Sequence, residues 1–162
     1  ASGVRGRGGP TFAAVWFDAN GDGWPDLMGQ PTGGSMMIYP GRGAAQLGPA
    51  YVAHSAISAT RQVGVGLWNR DGAPDSMFRQ GDSLVAYPGN GPGGLTDPQR
   101  LGLDLRGYDL VTGIGDMTLA TRADLVVRES ATGHLWLLEG KASGFRAPRF
   151  LADGAGVYDL VD

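Results

Sequence analysis

The sequence predicts an all-β chain, a β-propeller assembled from four-stranded blades, and three observations carry that prediction. Glycine supplies 29 of the 162 residues, and strong helix formers do not cluster at helical spacing. Short apolar runs alternate instead with clusters of Gly, Pro, Asn and Asp, the punctuation of strands and turns. The third observation is an internal period. When "FDANGDGWPDLM" is laid on "LWNRDGAPDSM", Asp22 falls on Asp71 and Asp26 on Asp75, both steps of 49. Laid on "GDMTLATRADLVV", Asp18 falls on Asp116 and Asp26 on Asp124, both steps of 98. Four short strands in a period in the forties are the signature of a propeller blade. A meander or a sandwich would not require the shared spacing.

The elements follow in order. Residues 1–10, with "RGRGG" at Arg5–Gly9, read as a flexible lead-in. Repeats are expected at approximately 11–59, 60–107 and 108–156, and 157–162, with "YDLVD", starts the pattern again. In each repeat a first strand ("TFAAVWF", "RQVGVGLW", "YDLVTGIGD") enters an acidic loop and a second leaves it. A third ("MMIYPG", "LVAYPG", "LWLLEG") ends in a glycine-rich turn, and a fourth lies beyond the next Pro. Three blades and one strand do not close a ring of about four to eight. Either copies of the chain complete it as a homo-oligomer, or the chain is part of a larger propeller or an unusually short one.

Composition narrows the function. The net charge of −3 lacks the basic footprint of a nucleic-acid binder. A hydrophobic fraction of 42% is too high for a disordered chain. With no cysteine, disulfides and thiolate sites are excluded. The longest apolar runs fall far short of the roughly 20 residues that span a membrane. No basic-then-apolar signal segment opens the chain, so a secreted protein is expected as its mature form or an excised domain.

The acidic loop of the first repeat carries the sharpest chemistry. Asp18, Asn20, Asp22 and Asp26 fall within nine positions, and three carboxylates so close repel one another unless a cation lies between them. Calcium takes six to eight oxygens at about 2.3–2.6 Å. The expected ligands are the side chains of Asp18, Asn20, Asp22 and Asp26 with the backbone carbonyl of Trp24, Gly23 permitting the bend. An EF-hand begins alike but needs a Glu at position twelve, where this loop has Gly29. The second loop has Leu67 in the first ligand position and keeps Asn69, Asp71 and Asp75 as a weaker site. The third keeps Asp116 and Thr118, but Ala120 and Thr121 replace a ligand and the bend glycine. It is expected to hold its turn without metal.

The acidic loop followed by Leu27, together with "GFRAPRF" at Gly144–Phe150, resembles the FG-GAP/VCBS repeat family, the blades of integrin-type propellers and of many secreted bacterial proteins. The resemblance covers nearly the whole chain, although "QLGPAY" and "GLTDPQ" match the second motif only loosely. It implies a calcium-binding, non-catalytic propeller. Some relatives are lectins and others mediate adhesion, which makes a glycan the expected ligand and a protein partner the alternative.

Catalytic lookalikes leave a hydrolase only as a remote alternative. "GDSL" at Gly81–Leu84 spells an esterase motif, but Ser83 opens a strand and the partner Asp-x-x-His is missing, since Tyr51 precedes His54 and Ala131 precedes His134. "GNGPGG" at Gly89–Gly94 matches a dinucleotide pattern with no helix behind it. Trp16, Trp24, Trp68 and Trp136, with Tyr39, Tyr87 and Tyr108, remain as aromatic candidates for ligand contact, though packing explains most of them.

Overall fold

The computed structural model describes residues 11–13, as backbone, and 18–158. The lead-in at Arg5–Gly9, Trp16 and all but the first residue of "YDLVD" lie outside the described residues. The chain is all-β, with a 3-10 turn at Ala155–Val157 and no α-helix among the described residues. Strands β1 (Thr11–Ala13), β2 (Leu27–Gln30), β3 (Met36–Tyr39) and β4 (Tyr51–His54) pair antiparallel in chain order as the first sheet. Strands β5 (Arg61–Gly64), β6 (Ser76–Gln80), β7 (Ser83–Tyr87) and β8 (Gln99–Asp104) form the second. In the third, β9 (Tyr108–Gly113), β10 (Leu125–Glu129), β11 (Leu135–Leu138) and β14 (Arg149–Ala152) pair likewise, and the small hairpin β12 (Gly140–Lys141)–β13 (Gly144–Phe145) interrupts the last connection. Among the described residues no sheet closes on itself.

The sheets lie face to face because alternate side chains leave opposite faces of a strand. Met28, Met36, Ile38 and Ala53 of the first sheet share a core with Phe78, Val85 and Tyr87 of the second. The other face of the second sheet gives Met77, Leu84, Ala86 and Leu101 to a core with Val127, Leu138 and the partly buried Trp136 of the third. The second sheet is therefore buried on both faces, the reason "LVAY" reads as a continuous apolar run. The first strands of the second and third sheets come close together. A methyl group on Gly113 of β9 would lie 2.0 Å from the carbonyl oxygen of Gly64 in β5, so only bare backbone fits.

Two devices recur in all three sheets. The first is a buried aspartate at the start of the second strand. Asp26 accepts N–H bonds from Ala19 (2.8 Å) and Gly41 (2.8 Å); Asp75 accepts from Asn69 (2.8 Å) and Gly89 (2.9 Å); Asp124 accepts from Thr118 (2.8 Å) and Gly140 (2.9 Å). Each carboxylate thus ties its acidic loop to the turn after the third strand. The glycine of that turn is obligatory, because a Cβ at Gly41, Gly89 or Gly140 would come within 2.1, 2.3 or 2.4 Å of the carbonyl oxygen preceding the aspartate. The second device sits at the far end of the same strand. Gln30 bonds both backbone groups of Ile57, Arg79 donates to the carbonyls of Leu105 and Tyr108, and Arg128 donates to those of Ala155 and Tyr158. Each clamps the chain where it leaves its sheet.

Candidate functional site

The first acidic loop is a nest of short local hydrogen bonds. Asp18 accepts from the backbone N–H groups of Asp22 (2.9 Å) and Gly23 (2.8 Å). Asn20 Oδ1 accepts from Asp22 N–H (2.9 Å), and Asp22 Oδ1 from Trp24 N–H (2.9 Å). The Asn20 amide also donates to Asp22 Oδ2 at 3.0 Å. These are Asx-turn bonds, in which short polar side chains take over backbone amides. Every one of those oxygens keeps further acceptor capacity, so Asp18, Asn20 and Asp22 fit a hard cation at the solvent side of the turn. Asp26 stands apart, buried beneath the loop with both oxygens on backbone amides. Among the described residues no three acidic or imidazole side chains stand together as a ready-made cage. Asp18, Asn20 and Asp22 present acceptors at the solvent side of the turn, and Asp26 accepts backbone amides beneath it.

The other loops build the same turn from fewer oxygens. In the second, Asp71 N–H donates to Asn69 Oδ1 (2.9 Å) and Ala73 N–H to Asp71 Oδ1 (2.8 Å), while Asp75 takes the buried position of Asp26. Burial raises the Asp75 carboxyl above the usual Asp range, against the pull of the Asn69 and Gly89 amides. In the third, Asp116 accepts from Ala120 and Thr121, both at 2.9 Å, reproducing Asp18. Left-handed backbone also recurs: φ is +76° at Gly21, +67° at Arg70 and +56° at Leu119, then +86° at Gly23, +92° at Gly72 and +79° at Thr121. Side-chain acceptors hold this turn whether or not its residues suit it.

The remaining candidates separate by burial. Trp68 is enclosed between the second and third sheets, with Phe145 at 4.9 Å, the Arg122 guanidinium over its ring, and its carbonyl accepting from Arg122. Tyr87 is buried against Phe78 and His54, while Tyr39 and Tyr108 are part-buried. Trp24 is half-exposed and packs over Gly43. Ser83 lies in β7, paired with Gln80 and Asp104. Residues 89–95 form a hairpin loop closed by the Gly89–Leu95 bridge.

One aromatic group was not singled out by sequence. Phe150 on β14 is exposed and makes edge-on contacts with Trp136 at 5.7 Å and His134 at 5.5 Å. Beside it Thr132 donates to Glu129 (2.6 Å), and the His134 ring lies 3.9 Å from the same carboxylate. The signal in sequence was weak, because Phe150 falls in the family-like "GFRAPRF" and reads as a strand residue. No protein-family model matches the chain, and no curated protein matches it.

Proposed function

We propose that the chain is a non-catalytic carbohydrate-binding module whose three sheets are blades of a propeller of the FG-GAP/VCBS type, with calcium held at Asp18, Asn20 and Asp22. Face-to-face stacking of consecutive four-stranded meanders, with first strands crowded together at Gly64 and Gly113, supports the blade reading. The ligand reading rests on the Phe150 platform: an exposed aromatic face, backed by Trp136 and His134, with Glu129 and Thr132 at its polar margin. Apolar surface with a few placed polar groups is what a sugar ring, apolar on its faces and hydroxylated at its edge, is recognised by. Ser83, fixed within a β-ladder, supports a non-catalytic role.

A glycan array probed with and without calcium tests this. Binding is expected in both conditions, stronger with calcium, and Phe150→Ala should weaken it about tenfold or more while leaving the circular dichroism unchanged. An array silent for the parent protein, or binding indifferent to Phe150→Ala, removes the carbohydrate reading in favour of a protein partner.

A further inference from the structure

The face of the third sheet that meets the second ends in two rows of side chains. By pairing register, Val111, Val127, Trp136 and Phe150 make one row. Alternation along β10 puts Glu129 on the same face as Val127, where it pairs with Tyr108 on one side and bonds the His134 carbonyl on the other. Val111 and Val127 are buried in the core shared with the second sheet, and Tyr108 and Trp136 pack partly against it. Phe150 emerges from this row at the outer edge, 52% exposed.

Three rings meet there at steep angles. Phe150 stands at 90° to His134 and 83° to Trp136, and His134 at 63° to Trp136. Two rings thus brace Phe150 and still leave about half of it open. An aromatic face is electron-rich, and a cation within about 6 Å of the ring centre is attracted to it.

The charge beside the rings has the matching sign. Glu129 Oε2 accepts from the Thr132 hydroxyl at 2.6 Å, and His134 Nδ1, 3.9 Å away, is beyond hydrogen-bond reach. Among the described residues no Lys or Arg forms an ion pair with Glu129. The guanidinium groups of neighbouring strands are engaged elsewhere. Arg79 bonds the carbonyls of Gly81, Leu105 and Tyr108, and Arg128 bonds Asp109 and the carbonyls of Ala155 and Tyr158. Glu129 therefore keeps Oε1 and its negative charge for a ligand.

We infer that the platform selects a sugar with a protonated amino group, an amino sugar of the glucosamine type, over a neutral or acidic one. This rests on the carbohydrate reading of the same site and names its ligand class. The sugar ring lies on Phe150 and its ammonium group turns to Glu129, beside the rings of His134 and Trp136. Acetylating the nitrogen removes the charge and both attractions with it, and a uronic acid would set a second carboxylate against Glu129. A charge-assisted hydrogen bond and a cation–π contact together favour the amine by about tenfold or more.

Titration calorimetry with matched tetrasaccharides of glucosamine, N-acetylglucosamine and glucose, at neutral pH and low salt, tests the assignment. The glucosamine oligomer should bind about tenfold or more tighter than the other two, and its affinity alone should fall as salt rises. Glu129→Gln keeps an acceptor for Thr132 and should bring the three oligomers to one affinity, whereas Phe150→Ala should weaken all three, both with unchanged circular dichroism. Equal affinities in the parent protein, or a preference that survives Glu129→Gln, overturn the amino-sugar assignment and leave the carbohydrate reading standing. So does a glucosamine oligomer that fails to bind while other sugars on the array are captured. An array silent for every sugar removes both.

Discussion

Asp26, Asp75 and Asp124 each accept backbone amides at the start of a second strand. Each is buried with one amide on either oxygen, so removing a carboxylate strands donors that cost about 1–3 kcal/mol apiece. Asp75 adds a pH signature. Its folded-state value is raised by burial, so the folded chain holds that proton more readily than the unfolded one. The stability this contributes is fully present below the ordinary Asp value and is lost as pH rises through the raised one. Asp109 runs the opposite way. Its hydrogen-bonded partner Arg128, at 2.9 Å, lowers its value, and its contribution is lost as pH falls through that lowered value. Asp75→Asn, which leaves one amide facing a donor, should destabilise by about 1–3 kcal/mol. Urea midpoints should show that penalty shrinking from acid to neutral pH; a penalty that grows with pH would contradict the raised value. The sequence held a clue to this role. Leu67 and Ala120 replace ligand positions in their loops, yet the buried aspartate is kept in all three, as expected for a group that serves the backbone.

At the scale of the loop, the third copy carries conformational strain that the first two avoid. Thr121 has φ of +79° where the others place glycine, and a β-branched residue there is a genuine outlier. The Asp116 carboxylate holds it by accepting its N–H. Thr121→Gly should therefore stabilise the chain by about 1 kcal/mol, read as a higher thermal midpoint; no change or a loss would mean that the methyl or hydroxyl of Thr121 supplies something else. Strand placement was legible in sequence because apolar runs and turn residues alternate cleanly, as in "LVAYPGNG". The clamp of Gln30, Arg79 and Arg128 was not, since an amide and two guanidinium groups perform it and no shared letter marks it. Phe150 escaped for another reason: its exposure depends on where β14 lies relative to the neighbouring sheet, which periodicity does not encode.

At the scale of the molecule, the calcium proposed at Asp18, Asn20 and Asp22 would add a modest term to the stability supplied by the packed sheets. With a dissociation constant of about 10⁻⁴ M and free calcium of about 1 mM, binding contributes roughly 1.4 kcal/mol. For a chain of this size that corresponds to about 3–6 °C in melting temperature. A chelator should lower the midpoint by that much, and Asp22→Ala should abolish the response; a parent protein indifferent to the chelator would remove calcium from the proposal. The doubly buried second sheet has a separate consequence, for how the chain comes apart. Its strands are covered on both sides by Met28, Ile38, Val127 and Leu138, whereas the outer sheets each have a neighbour on one side among the described residues. Stability in such a stack is a sum over neighbours, so opening starts at the ends and reaches the middle last. Amide protons of β6 and β7 should then exchange only when the whole chain unfolds, and a break at either flank would leave the survivor with Met77 or Phe78 facing water.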